Sequence, residues 1–157
     1  MLKNLAEKIE YLVEYLAGFL FLLIFLINIY QVFIRYFMSS SYAWVPDISI
    51  LLLNWVIFLG GSVAFYNHDH LRLDLLLNKL NNKKEFILDL FLFVLKISLF
   101  VTMIIYGYQV ASVRMGIYLT GISIPSGYIY IAVPVGGLLM LFFQVVHIIE
   151  DFDKMKK

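Results

Sequence analysis

The chain has 157 residues, of which 62% are hydrophobic and 15% charged, with a mean hydropathy of +0.89; soluble domains carry about 25% charged residues. That balance excludes a soluble globular domain, and a net charge of +1 gives no cationic excess for nucleic acid or an acidic partner. Cysteine is absent, which removes disulfides, thiolate metal sites, iron–sulfur clusters and dithiol redox chemistry.

At roughly 20 residues per membrane-crossing helix, the length accommodates about four spans with short connections. Glu14 and Arg35 bracket the uncharged run YLAGFLFLLIFLINIYQVFI, which predicts a first span over 13–35. It is too long for a signal peptide, and no small-residue cleavage site follows it. Within it Asn28, Gln31 and Arg35 fall at i, i+3 and i+7, on one face. The turn MSSSYAWVP then leads to a second span over 48–67, where Asp47 and Asn54 are again i and i+7. Buried polar groups in a membrane face a partner or a cavity. The reading here is helix-to-helix adhesion: an Arg35–Asp47 ion pair at one end of the two spans, with the amides hydrogen-bonded deeper down. Gly60 and Gly61 add a surface small enough for another helix to approach closely.

Between spans two and three lies YNHDHLRLDLLLNKLNNKKE. On a helix Leu73, Leu76, Leu77 and Leu80 form one apolar face and Leu71 with Leu75 a narrower second one; Arg72 and Lys79 flank the first face on one side, Asp74 and Asn78 on the other. This pattern predicts a short amphipathic helix over 70–81 lying in the membrane interface, capped by Asn67 or Asp69 and ended by NNKK. His68, His70 and Asp74 offer metal-ligand atoms, but H-x-H without a fourth ligand is a weak pattern, and a polar boundary between a span and water accounts for them better. No metal is expected.

A third span is predicted over 86–111, interrupted by Asp89 and Lys96. Lys96 is about 15 Å along the axis from Phe86 at 1.5 Å per residue, a depth at which a cation needs a partner, whether in this chain or in another protein. After GISIPSG the fourth span is predicted over 128–149, bent by Pro134, which removes one backbone hydrogen bond. Lys3, Lys8, Arg72, Lys79, Lys83, Lys84, Lys154, Lys156 and Lys157 flank one set of span ends, whereas Arg35 and Arg114 alone flank the other. The positive-inside rule then places both termini in the cytoplasm. The expected fold is all-α: one integral membrane domain over 1–157 with four transmembrane helices and an interfacial helix between the second and third.

No phosphate-binding glycine loop, nucleophile elbow or zinc-protease helix is present, and no histidine sits mid-span to hold haem. The chain is therefore read as a non-enzyme without cofactor, binding no nucleic acid. A self-contained oligomeric exporter or channel is the alternative reading, but it needs a carboxylate or polar stripe in mid-span, and Glu14, Asp47 and Asp89 all sit near span ends.

The order of these features resembles the small membrane subunit of the tripartite ATP-independent periplasmic (TRAP) transporters. Arg35 closes span one, Trp44 and Asp47 open span two, and NWVIFLGGSVAFYNHDHLRLDLL resembles the family's tryptophan, small residues, histidine and aspartate, the last two falling on His70 and Asp74. GISIPSGYIYIAVPVGGLLM resembles its proline, tyrosine, proline, glycine and methionine pattern at Pro125, Tyr130, Pro134, Gly136 and Met140. Asp47 stands where a glutamate is more usual. The resemblance implies a scaffold subunit in the bacterial inner membrane, bracing a large multi-span subunit that carries the sodium and substrate sites and moves as an elevator. A periplasmic substrate-binding protein would deliver an organic acid such as a C4-dicarboxylate or sialic acid. Leu71, Arg72, Leu75 and Lys79 would meet lipid headgroups or the large subunit.

Overall fold

The computed structural model describes the backbone of residues 2–38, 40–77 and 82–155, and side chains over 3–38, 40–67 and 90–149. The described chain is helical apart from its connections: α1 (Leu2–Met38), α2 (Trp44–Leu77), α3 (Asn82–Arg114), the one-turn α4 (Gly127–Tyr130) and α5 (Ala132–Met155). Four stretches are long and apolar enough to cross a membrane, namely Lys3–Met38, Trp44–Asn67, Leu90–Arg114 and Gly127–Ile149. The fold therefore has two ends, a loop end with the connections 40–43 and 115–126, and a terminal end near Glu10, Asn67 and Ile149.

The last span is the central one. Of its most apolar stretch 44% is buried, against 11–17% for the other three, and α5 packs against both α2 and α3 while α1 packs chiefly on α2. Adjacent glycines explain how α5 fits between two neighbours. Successive helix residues point about 100° apart, so Gly136 and Gly137 look at different helices. A Cβ on Gly136 would lie 2.8 Å from Phe58 Cβ of α2, and one on Gly137 would meet Ile104, Met103 and Phe100 of α3 at 3.2–3.3 Å.

Helix α1 contributes a narrow stripe. Its buried or half-buried positions Ala6, Glu10, Val13, Ala17, Leu20, Ile24, Ile27, Gln31 and Ile34 alternate four and three residues apart. That 3.5-residue repeat is the seam of a left-handed helix pair, and it closes on α2 through a core of Val13, Ala17, Leu59 and Val63, with Leu139 of α5 behind them. The rest of α1 is open, with Leu12, Leu16, Phe19, Phe25 and Leu26 all exposed.

The second span runs on further than expected, and the fourth is interrupted where Pro134 was expected to bend it. The helix expected over 70–81 is present in backbone only as the uninterrupted continuation of α2 to Leu77; no glycine or proline occurs between Ala64 and Leu77 to interrupt the hydrogen-bond ladder. Residues 78–81, with Lys79, lie outside the described residues. The fourth span breaks at Ile131, one turn before Pro134, dividing it into α4 and α5. Pro134 has no N–H to offer the Tyr130 carbonyl, and near this break the Tyr128 carbonyl accepts the Trp55 indole N–H at 3.1 Å.

Candidate functional site

Polar side chains form one contact cluster toward each end of the bundle. At the loop end Asp47, in the first turn of α2, accepts a hydrogen bond from the Gly121 N–H at 2.6 Å. Gly121 belongs to a folded connection: the Leu119 N–H donates to the Ile124 carbonyl at 2.9 Å, the Ser126 N–H donates to the Ile117 carbonyl at 2.7 Å, and Tyr118 pairs antiparallel with Pro125. Ser123 at its tip has φ 49°, the left-handed conformation that tight turns use. The connection is thus a built platform fastened to the start of α2. The expected Arg35–Asp47 ion pair does not form; Asp47 is committed to Gly121, and Arg35 is exposed.

The expected amide ladder also divides differently. Asn28 Nδ2 donates to Ser49 Oγ at 3.0 Å, joining α1 to α2, and to its own helix at the Ile24 carbonyl. Asn54 Nδ2 instead returns to the Ile50 carbonyl of α2 at 2.9 Å, an i−4 contact available wherever a short amide sits on a helix. Gln31 is half-buried on the α1 seam. Gly61 receives the Met140 methyl, 3.3 Å from where a Cβ would stand, whereas Gly60 faces open space.

At the terminal end all four spans supply polar or aromatic groups, of which Glu10, Phe65 and Gln144 carry no weight in the sequence reading. Glu10 of α1 is 7% exposed and accepts from Asn67 Nδ2 of α2 at 3.0 Å. His147 of α5 is buried and stacks on Tyr66 at 5.1 Å between centroids, with Phe65 at 6.5 Å. Lys96 of α3 lies over the Phe65 ring, 5.4 Å from its centroid, so this chain supplies it with an aromatic face. Gln144, one turn before His147, is also 7% exposed, and its Oε1 has no hydrogen-bond partner among the described residues. The signal available in sequence was Gln144 and His147 at i and i+3 on an otherwise apolar span. The side chains of His68, His70, Leu71, Arg72, Asp74 and Leu75 lie outside the described residues.

Four helices long and apolar enough to cross a membrane define a multi-pass helical membrane protein. Residues 24–154 match the family described as "Tripartite ATP-independent periplasmic transporters, DctQ component", and the chain belongs to that family as a TRAP transporter small subunit. It is 25% identical over 156 residues to the sialic acid TRAP transporter small permease protein SiaQ of Vibrio cholerae, covering 99% of this chain and 87% of that one. It is 36% identical over 140 residues to the sialic acid TRAP transporter permease protein SiaT of Haemophilus influenzae, covering 87% of this chain but 22% of that longer protein. The family is one of transporters rather than catalysts.

Proposed function

We propose that this chain is the fixed scaffold subunit of a sodium-coupled TRAP transporter that takes up an organic acid of the sialic acid class across the bacterial inner membrane. The observation that carries this reading is where the deep polar side chains go. Asn28 of α1 reaches Ser49 of α2 and Lys96 of α3 lies over Phe65 of α2, which is what adhesion between helices requires, while Asp47 holds the 115–126 connection and Asn54 closes on its own helix. Ions and solute would then be handled in the large membrane subunit. The Haemophilus relative supports such a partnership, because a segment like this chain makes up 22% of one longer permease polypeptide. The names of both relatives support sialic acid as the solute.

In this arrangement the termini and the 68–89 region face the cytoplasm, where the cations cluster, and Leu71, Arg72, Leu75 and Lys79 meet lipid headgroups or the large subunit. His70 and Asp74 belong to the same partner-facing region. The platform held by Asp47 and Gly121 faces the periplasm and helps receive the substrate-binding protein.

The test is reconstitution. Vesicles holding this chain with its large subunit, supplied with the binding protein and an inward sodium gradient, accumulate sialic acid, and vesicles lacking either membrane subunit do not. Accumulation of solute by this chain alone overturns the reading.

A further inference from the structure

Among the described residues, one buried side-chain polar atom lacks a hydrogen-bond partner: Oε1 of Gln144, on a residue 7% exposed. A carboxamide oxygen left unanswered in a protein interior is costly, so what it faces matters. Gly137 stands seven residues back, two turns earlier and on the same side of α5, and a Cβ there would meet Phe100, Met103 and Ile104 of α3. Helix α3 runs from the terminal end to the loop end and α5 runs back. Seven residues further along α5 is therefore level with a position about seven residues back along α3, beside Lys96. The depths agree: at 1.5 Å per residue Gln144 is about 8 Å from Ile149 and Lys96 about 9 Å from Leu90, the terminal-end limits of their spans. Phe65 of α2 ties the two residues together laterally. Lys96 Nζ lies 5.4 Å from its centroid, and the His147 ring, one turn beyond Gln144, lies 6.5 Å from it.

We infer that Gln144 and Lys96 hold a buried water between α3 and α5, a site that belongs to this chain alone and stands whether or not the chain is a transport scaffold. Water is the small species that both groups accept. It donates one O–H to Gln144 Oε1 and takes an N–H of the ammonium on its own oxygen, and an ammonium with three donors keeps two for its other contacts. A metal cation is repelled by Lys96, and an anion is repelled by the carboxamide oxygen. Direct contact is not the arrangement, because the ammonium lies over the Phe65 ring while Oε1 has no partner. Buried waters are held by two to four polar groups, and a bridging water is nearly as good a link as a direct hydrogen bond. Here it joins the cation of one span to the amide of its neighbour, at a depth where a charged side chain needs a polar partner.

X-ray radiolysis of the full chain in detergent, with oxidation mapped by mass spectrometry, reads the site directly. Hydroxyl radicals form in place from a bound water and oxidise the side chains that touch it, however deeply they are buried. Phe100, one turn from Lys96 on the same face of α3, is 2% exposed and is the reporter. The expected result is oxidation of Phe100 in the parent protein and its loss in Gln144→Met and Lys96→Met. Gln144→Met also lowers the melting temperature by about 2–4 °C, the shift of one typical hydrogen bond in a chain of this size. An oxygen with no water on it predicts the opposite sign, because methionine removes the unanswered acceptor at similar length. Protection of Phe100 in the parent protein overturns the inference without recourse to any variant. Labelling that persists in Gln144→Met, or a melting temperature that holds or rises in it, overturns it equally.

Discussion

Asp47 and Gly121 stand 74 residues apart in sequence, yet the carboxylate of one holds the backbone N–H of the other at 2.6 Å. Gly121 is there because the approach is close: a Cβ at this position would run into the Ala43 carbonyl and Trp44 Cα. A hydrogen bond to a charged group contributes about 1.5–3 kcal/mol. Asp47→Ala is therefore expected to destabilise the detergent-solubilised protein by about that amount, and Gly121→Val by at least as much, through overpacking against backbone. Arg35→Ala, removing an exposed cation, changes stability by less than about 0.5 kcal/mol. Thermal unfolding of the three variants checks this, and comparable losses for Arg35→Ala and Asp47→Ala would restore the ion pair.

The glycines of the spans are not equivalent. Gly136→Val pushes branched methyls into Phe58, where a Cβ alone already stands 2.8 Å from a side-chain carbon, while nothing lies within 4 Å of a Cβ on Gly60. Overpacking a helix contact costs about 1–3 kcal/mol. The expected outcome is a large drop in melting temperature for Gly136→Val and none for Gly60→Ala in the isolated chain. If Gly60 instead serves the contact surface with the large subunit, Gly60→Val leaves the isolated chain stable and reduces recovery of that subunit.

Four spans were legible from hydropathy because a bilayer demands long apolar runs whatever the tertiary fold. Which side of each run is buried was not. Phe19 and Ala17 are both apolar, yet the first is exposed and the second is on the α1 seam, since lipid accepts the same side chains as a protein core does. Only steps of four and three distinguish the seam, and in α1 they are hidden among apolar residues on every side. The pairing of polar groups was legible in part. Asn28 joins α1 to α2 as its position implied, but the partner of Asp47 lies in a connection whose course sequence does not give. Glu10 and Gln144, taken singly, are ordinary polar residues near a span end, and His147 is legible only as a histidine too near a span end to hold haem; it is packing that brings polar and aromatic groups from all four spans to one end of the bundle.

Lys96 lies over Phe65, and a cation–aromatic contact contributes about 0.5–1 kcal/mol when exposed and about 2 kcal/mol or more when desolvated. Phe65→Leu keeps the apolar volume and removes the quadrupole. It is expected to lower the melting temperature less than Phe65→Ala, which also loses the edge-on contact with Phe100 at 5.1 Å between centroids. Lys96→Arg keeps the cation over the ring and holds stability near the parent value, whereas Lys96→Leu allows membrane insertion but loosens the bundle. Equal melting temperatures for Lys96→Arg and Lys96→Leu would show that the ring contact contributes nothing.

Glu10 and Asn67 provide the sharpest separation of burial from pairing. Glu10 is 7% exposed and receives the Asn67 amide at 3.0 Å, so Asn67→Ala leaves a buried carboxylate without that donor. The cost of such an unsatisfied group is about 1–3 kcal/mol, more when it is charged. Glu10→Gln keeps an oxygen that can accept from Asn67 and removes the charge, so its cost is smaller than that of Asn67→Ala. With both positions changed, Glu10→Leu and Asn67→Ala, the donor and acceptor vanish together, and the loss is less than the sum of the two single changes. A double-mutant cycle of unfolding free energies in detergent measures the difference; a coupling of zero would mean that the Glu10–Asn67 contact adds nothing to the hold of α1 on α2.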